Sequence, residues 1–140
     1  MGKFSNDIKE KTGMLEEFCE ITKKINELLE TTESIEQLDV IVSEVEKRDK
    51  IIAEINIVNK ILEDNQLDEQ DQAELGEQDQ LWFDLFAEIQ KIEVKNAAKM
   101  QQLRDEYMGK VKSAKDSIKV IDAYARQMME TDSVSIDKTK

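Results

Sequence analysis

The sequence predicts an all-α protein: an antiparallel bundle of three to four helices whose long C-terminal helix has a point at which to bend. Three observations lead there. Proline is absent and glycine occurs only four times in 140 residues, so little interrupts a helix. Glu, Lys, Gln, Leu, Ile and Ala dominate, the composition of long helices. Apolar residues return at alternating three- and four-residue intervals, the spacing that places side chains on one helical face. The length suits a single helical domain over 1–140, with room for one core and not two.

The first helix is expected over 6–31. Asn6 or Asp7 can accept from the free backbone N–H groups at its start. Met14, Phe18, Ile21, Ile25 and Leu28 then form its seam, widened by Leu15 and Leu29. The β-branched pair Thr31–Thr32 ends it. A second helix is expected over 34–63, with Ser34 and Gln37 as a capping box. Leu38, Ile41, Val45, Ile52, Ile55 and Leu62 lie on its inner face, with Val42, Ile51 and Val58 beside them. The short connection makes these two helices antiparallel neighbours. Arg48 falls on the seam between Val45 and Ile52. Its stem can pack while its head reaches out to Glu44 or another nearby acid, or it can be a buried charge that fixes register or binds a partner.

Residues 64–78 read as an acidic, solvated linker with one weak turn around Leu67 to Leu75. They lack the spacing of a calcium loop. A long helix is expected over 79–129, opened by an aromatic anchor at Trp82, Phe83 and Phe86. Its stripe runs on through Ile89, Ile92, Asn96, Met100, Leu103, Tyr107, Val111, Ala114, Ile118, Ile121, Ala125 and Met128. A straight helix of that length would span about 75 Å, longer than the core of a domain this size. Asn96 and Gly109 mark where it would bend or part, and glycine there costs up to about 1 kcal/mol relative to alanine. The stretch therefore divides into a core helix and a basic, methionine-bearing arm. Residues 130–140 show no period and read as a disordered tail.

The chemistry follows from what is missing. There is no histidine and one cysteine, Cys19, which reads as a small buried or half-buried hydrophobe. No phosphate loop, nucleophile elbow or Glu-x-x-His pair is present, and the carboxylates belong to water-facing positions. No enzymatic activity, metal or cofactor is expected. A net charge of −12 repels nucleic acid and anionic membrane surfaces. No apolar run is long enough for a membrane span or a signal peptide, so a soluble, cytoplasmic protein is expected. What remains is binding. A bundle with an incompletely covered apolar face takes another helix into its groove, and flexible methionines adapt such a face to varied partners.

The layout resembles the small all-helical flagellar export chaperones, the FliT type first and the FlgN type second. The likeness lies in the N-terminal amphipathic helix and in Val45-Glu46-Lys47-Arg48-Asp49-Lys50-Ile51-Ile52, similar to the arginine-containing helix of that family. It continues in a third helix that runs into Ser117-Ile118-Lys119-Val120-Ile121-Asp122-Ala123-Tyr124, and spans most of residues 8–126. The resemblance implies a cytoplasmic chaperone of type III export. It would shield an amphipathic helix of a filament cap protein or a hook–filament junction protein. Client contacts would come from Ile52, Ile55, Ile89 and Ile92. Val111, Ile118, Ile121 and Met128 would belong to the masking, partner-binding arm, and Tyr124 would meet the export gate. The absence of a glycine after Tyr124 and the length of the acidic linker depart from the family pattern. The competing expectation is a homodimeric coiled-coil scaffold that buries the same stripe against a second copy and has no client.

Overall fold

A computed structural model of the protein describes residues 2–32, 37–107 and 119–128. Within them the chain folds as α1 (Ser5–Thr31), α2 (Leu38–Asp64), α3 (Glu69–Tyr107) and α4 (residues 119–128), an all-α bundle. α1 buries Ile8, Leu15, Phe18, Ile21, Ile25 and Leu29, a three- and four-residue rhythm that keeps one face inward. Each such side chain contributes roughly 1.5–3 kcal/mol when fully removed from water. The helix stops at Thr31 because the hydroxyls of Thr31 and Thr32 turn back to the Glu27 and Leu28 carbonyls, and Thr32 is extended.

The start of α1 differs from expectation. It begins at Ser5, and neither Asn6 nor Asp7 caps it. Its first turn is satisfied across the bundle instead: the Phe4 N–H donates to Asp71 Oδ1 of α3 at 3.0 Å. α2 begins at Leu38, and the expected cap at Ser34 lies outside the described residues.

The acidic stretch 64–78 is not a linker beyond its first few residues. α3 begins at Glu69 and runs unbroken for 39 residues. Asp68 caps it by accepting the Asp71 N–H at 2.8 Å. Glu69 and Asp71 then place negative charge in the first turn, where the helix dipole favours it. Four residues, 65–68, are enough to turn the chain between α2 and α3. Asn96 does not part α3 either; it is buried within a continuous helix. Gly109 lies outside the described residues, as do the expected tail over 130–140 and the span joining α3 to α4.

The register of the bundle can be read from its cross-links. Phe4 meets Asp71, Ser5 meets Glu74, Thr12 meets Trp82 and Asn26 meets Asn96, so α1 and α3 run parallel. Lys24 pairs with Glu44 at 3.1 Å near the opposite end of α2, which makes α1 and α2 antiparallel. α1 packs on both neighbours, while α2 and α3 stand apart from each other and leave a furrow above α1. α4 lies in the upper part of that furrow. Its Ile121, Tyr124 and Ala125 enter the core and Met128 packs against it, the i, i+3, i+4, i+7 set of an amphipathic helix. Arg104 of α3 pairs with Asp122 at 2.7 Å, while Met128 reaches back toward Arg48, so α4 runs antiparallel to α3. The long C-terminal stripe is thus folded back on itself. No described helix is long and apolar enough to cross a membrane.

Candidate functional site

The site has two parts: a buried polar cluster beneath α4, and an open groove that continues from it. The cluster is built on Arg48. The heptad rhythm of α2 carries this residue into the core between Val45 and Ile51, where it is 1 % exposed. Its head does not reach out to Glu44. It closes a two-pronged pair with Glu93 of α3, Nε to Oε1 at 2.5 Å and Nη2 to Oε2 at 2.8 Å. A third donor, Nη1, reaches Asp49 at 2.7 Å. Such fork-to-fork geometry is among the few that can offset the desolvation of two buried charges.

Aromatic rings close over the pair. The guanidinium carbon lies 4.4 Å from the Tyr124 ring centre and 5.6 Å from that of Phe18, within cation–π range on both. Burial disfavours the charged guanidinium, but Glu93 more than offsets this and raises the Arg48 pKa. Glu44, also buried, is driven up by desolvation and drawn down further by Lys47 and Lys24, with a net lowering. Both acids depart from the expected water-facing placement, because each has cations positioned to neutralise it.

The polar network extends along α1. Thr22 Oγ1 donates to the Phe18 carbonyl at 2.8 Å, Asn96 Nδ2 donates to the Thr22 carbonyl at 3.2 Å, and Asn26 Nδ2 donates to Asn96 Oδ1 at 3.0 Å. Asn96 therefore locks α1 to α3. Tyr124 is 2 % exposed, and its hydroxyl faces Glu93 and Asn96 without a well-formed hydrogen bond among the described residues. Burial pushes its ionisation well above the usual phenol range, and the Glu93 charge adds to the push. The structure places Tyr124 inside the bundle, its ring enclosed between Arg48 and the core while α4 is seated.

Below Met128 the furrow is uncovered. It forms a groove of about 640 Å³, floored by Leu15 and Phe18 of α1. Ile52, Ile55 and Asn59 of α2 make one wall, and Trp82, Phe83, Phe86 and Ile89 of α3 make the other. Ile52 is only half-buried for this reason, and the inner seam of α2 runs through Ile51 and Val58 instead of Ile52 and Leu62. Trp82 donates its indole N–H to Thr12 at 2.7 Å and carries the Lys11 ammonium 4.3 Å above its ring. Desolvation lowers the Lys11 pKa, opposed by Asp79 and Glu63. Cys19 is buried in the core, its thiol pushed up by burial and by Glu88, and so lacks the thiolate character that reactivity needs.

Of the residues singled out from the sequence, Ile52, Ile55 and Ile89 line the groove, and Met128 closes its upper end. Ile92 is half-buried on α3 away from the lining. Ile121, on the inner face of α4, is buried in the core and not at the groove. Val111 and Ile118 lie outside the described residues. Sequence reasoning missed Glu93, although it stands four residues after Ile89 and three before Asn96, on the stripe itself. It also read Trp82, Phe83 and Phe86 as an end anchor, whereas they form a groove wall. Comparison of the chain with protein families, curated proteins and solved structures finds no match.

Proposed function

We propose that this protein is a helix-binding chaperone of the export type that the flagellar resemblance implies. In this reading it acts in the cytoplasm. The lower furrow between α2 and α3 receives an amphipathic helix of a filament cap or hook–filament junction protein and shields it from aggregation. The observation that supports it is the uncovered groove, to which Ile52, Ile55, Phe86 and Ile89 contribute apolar lining next to Met128 of α4. α4 already occupies the neighbouring part of the same furrow as an amphipathic helix, which is the binding mode required. Contact of Tyr124 with an export gate would then require α4 to leave its seat.

The test is co-purification of the full chain with candidate filament proteins, followed by mass determination. A defined complex, weakened at least tenfold by Ile52→Asp, is the expected result; tenfold corresponds to about 1.4 kcal/mol. One observation favours a second reading. Phe83 and Val94 are 63 % and 54 % exposed on one side of α3, with Ala87 between them. A homodimer joined through that face would show as a concentration-dependent mass that Val94→Glu abolishes. A dimer that ignores every filament helix would exclude the chaperone reading.

A further inference from the structure

We infer that the helix accepted by this groove is cationic: about four turns long, with its apolar stripe flanked by lysine or arginine. The inference rests on the reading that the groove takes a helix, and adds the chemistry of the partner. Length comes from the walls. The lining on α3 runs from Asp79 to Glu93, about 21 Å at 1.5 Å per residue, and Gln127 and Met128 close the upper end.

Charge comes from the field of the acidic stretch that carries the α3 wall. Residues 63–90 carry ten Asp or Glu and no Lys or Arg, and the α3 wall falls almost wholly within that stretch, although of these acids only Asp79 lines the groove itself. The cations that line the groove are already engaged. Arg48 is neutralised by Glu93, and Lys11 is stacked on Trp82 with Asp79 and Glu63 nearby. An incoming helix therefore meets a negative field on a scale comparable to the Debye length, about 10 Å at 0.1 M salt. The α2 wall adds a local acceptor. Asn56, exposed on that wall, presents a side-chain amide to the groove. Its carbonyl oxygen can accept from an ammonium or guanidinium on the flank of the occupant, a charge-assisted bond that an acidic flank cannot supply. A second copy of this chain, at −12, is opposed by the same field.

The chain has one tryptophan, Trp82, and it lines the groove, so its fluorescence reports occupancy directly. The probes are three tryptophan-free synthetic peptides of about 16 residues. They share one i, i+3, i+4, i+7 apolar stripe and differ in carrying Lys, Gln or Glu flanks. Titrated into the full chain at about 50 mM salt, the Lys peptide is expected to bind at least about tenfold tighter than the Glu peptide. The Gln peptide should fall between them, and the gap should narrow as salt is raised. Asp79→Asn combined with Glu63→Gln should weaken the Lys peptide severalfold more than it weakens the Gln peptide.

Equal binding of all three peptides, or tighter binding of the Glu peptide, would overturn the cationic assignment and leave the groove reading intact. A scrambled Lys peptide without the stripe that moves Trp82 as strongly would overturn it too, by showing attraction without docking. No response to any peptide would remove the groove reading and the inference together. A Trp82 change that follows protein concentration alone would assign the groove to a second copy.

Discussion

The guanidinium of Arg48 and the carboxylate of Glu93, 45 residues apart, close two hydrogen bonds of 2.5 and 2.8 Å in the interior of the bundle. This pair joins α2 to α3 where the two helices otherwise stand apart, and it sits at the boundary between the covered and open parts of their furrow. Removing either partner strands the other charge in a dry environment. Arg48→Met or Glu93→Leu alone should therefore destabilise the fold by about 3–5 kcal/mol, whereas the double substitution should recover most of that loss. Urea denaturation of the four proteins of this cycle measures it; additive losses would contradict a direct pair.

Tyr124 acts through its ring. The face lies against Arg48, while the hydroxyl has no well-formed partner among the described residues. Tyr124→Phe should change stability by less than about 1 kcal/mol, since no formed hydrogen bond is lost. Tyr124→Ala should cost about 3 kcal/mol or more and open α4 to protease, because the ring's volume and its cover over the ion pair are both lost. Equal effects of the two substitutions would mean that the hydroxyl matters after all.

The same burial has an alkaline signature. The phenol is raised above its ordinary value of 10.0, so the fold favours the neutral form. Its contribution to stability is complete below pH 10 and is lost as pH rises above it. In a Tyr107→Phe background, which leaves one tyrosine, absorbance at the phenolate band should stay silent through the ordinary range and appear only with unfolding. A simple titration near 10 with the helices intact would show that α4 leaves its seat readily.

Acid should loosen α4 from the other direction. Asp122 is hydrogen-bonded by Arg104 and lies beside Arg126, which holds its carboxyl below the ordinary 3.8. That stabilisation is present above the ordinary value and disappears as pH falls through the lower, folded one. Glu44 is lowered as well, by Lys47 and Lys24, and acts on the α1–α2 contact in the same sense. Hydrogen exchange can separate the two. Asp122→Asn at neutral pH should speed exchange across residues 119–128 and leave α1 unchanged.

Several features were legible because they are local. The ending of α1 at Thr31, the core faces of α1 and α2, and the division of the C-terminal stripe into a core helix and an arm follow from periodicity and propensity. The start of α3 at Glu69 was not read from the sequence, although Asp68 can cap a helix there. The density of acids hid it, because a run of like charge reads as solvated chain until a helix N-terminus is found to accommodate it.

By itself, then, the sequence determined that this protein is helical and which side of α1 and α2 turns inward, since side chains three and four apart share a face wherever the helix lies. Only the tertiary structure decided which inward faces meet. Arg48 could have reached Glu44 four residues away, but it lies between Glu93 and Met128, the latter 80 residues on. Tyr124 could have been exposed, but the fold-back of α4 places it over that pair. The groove has no sequence signature of its own. It exists because α4 covers only part of the furrow between α2 and α3, and that depends on how far one helix reaches along two others.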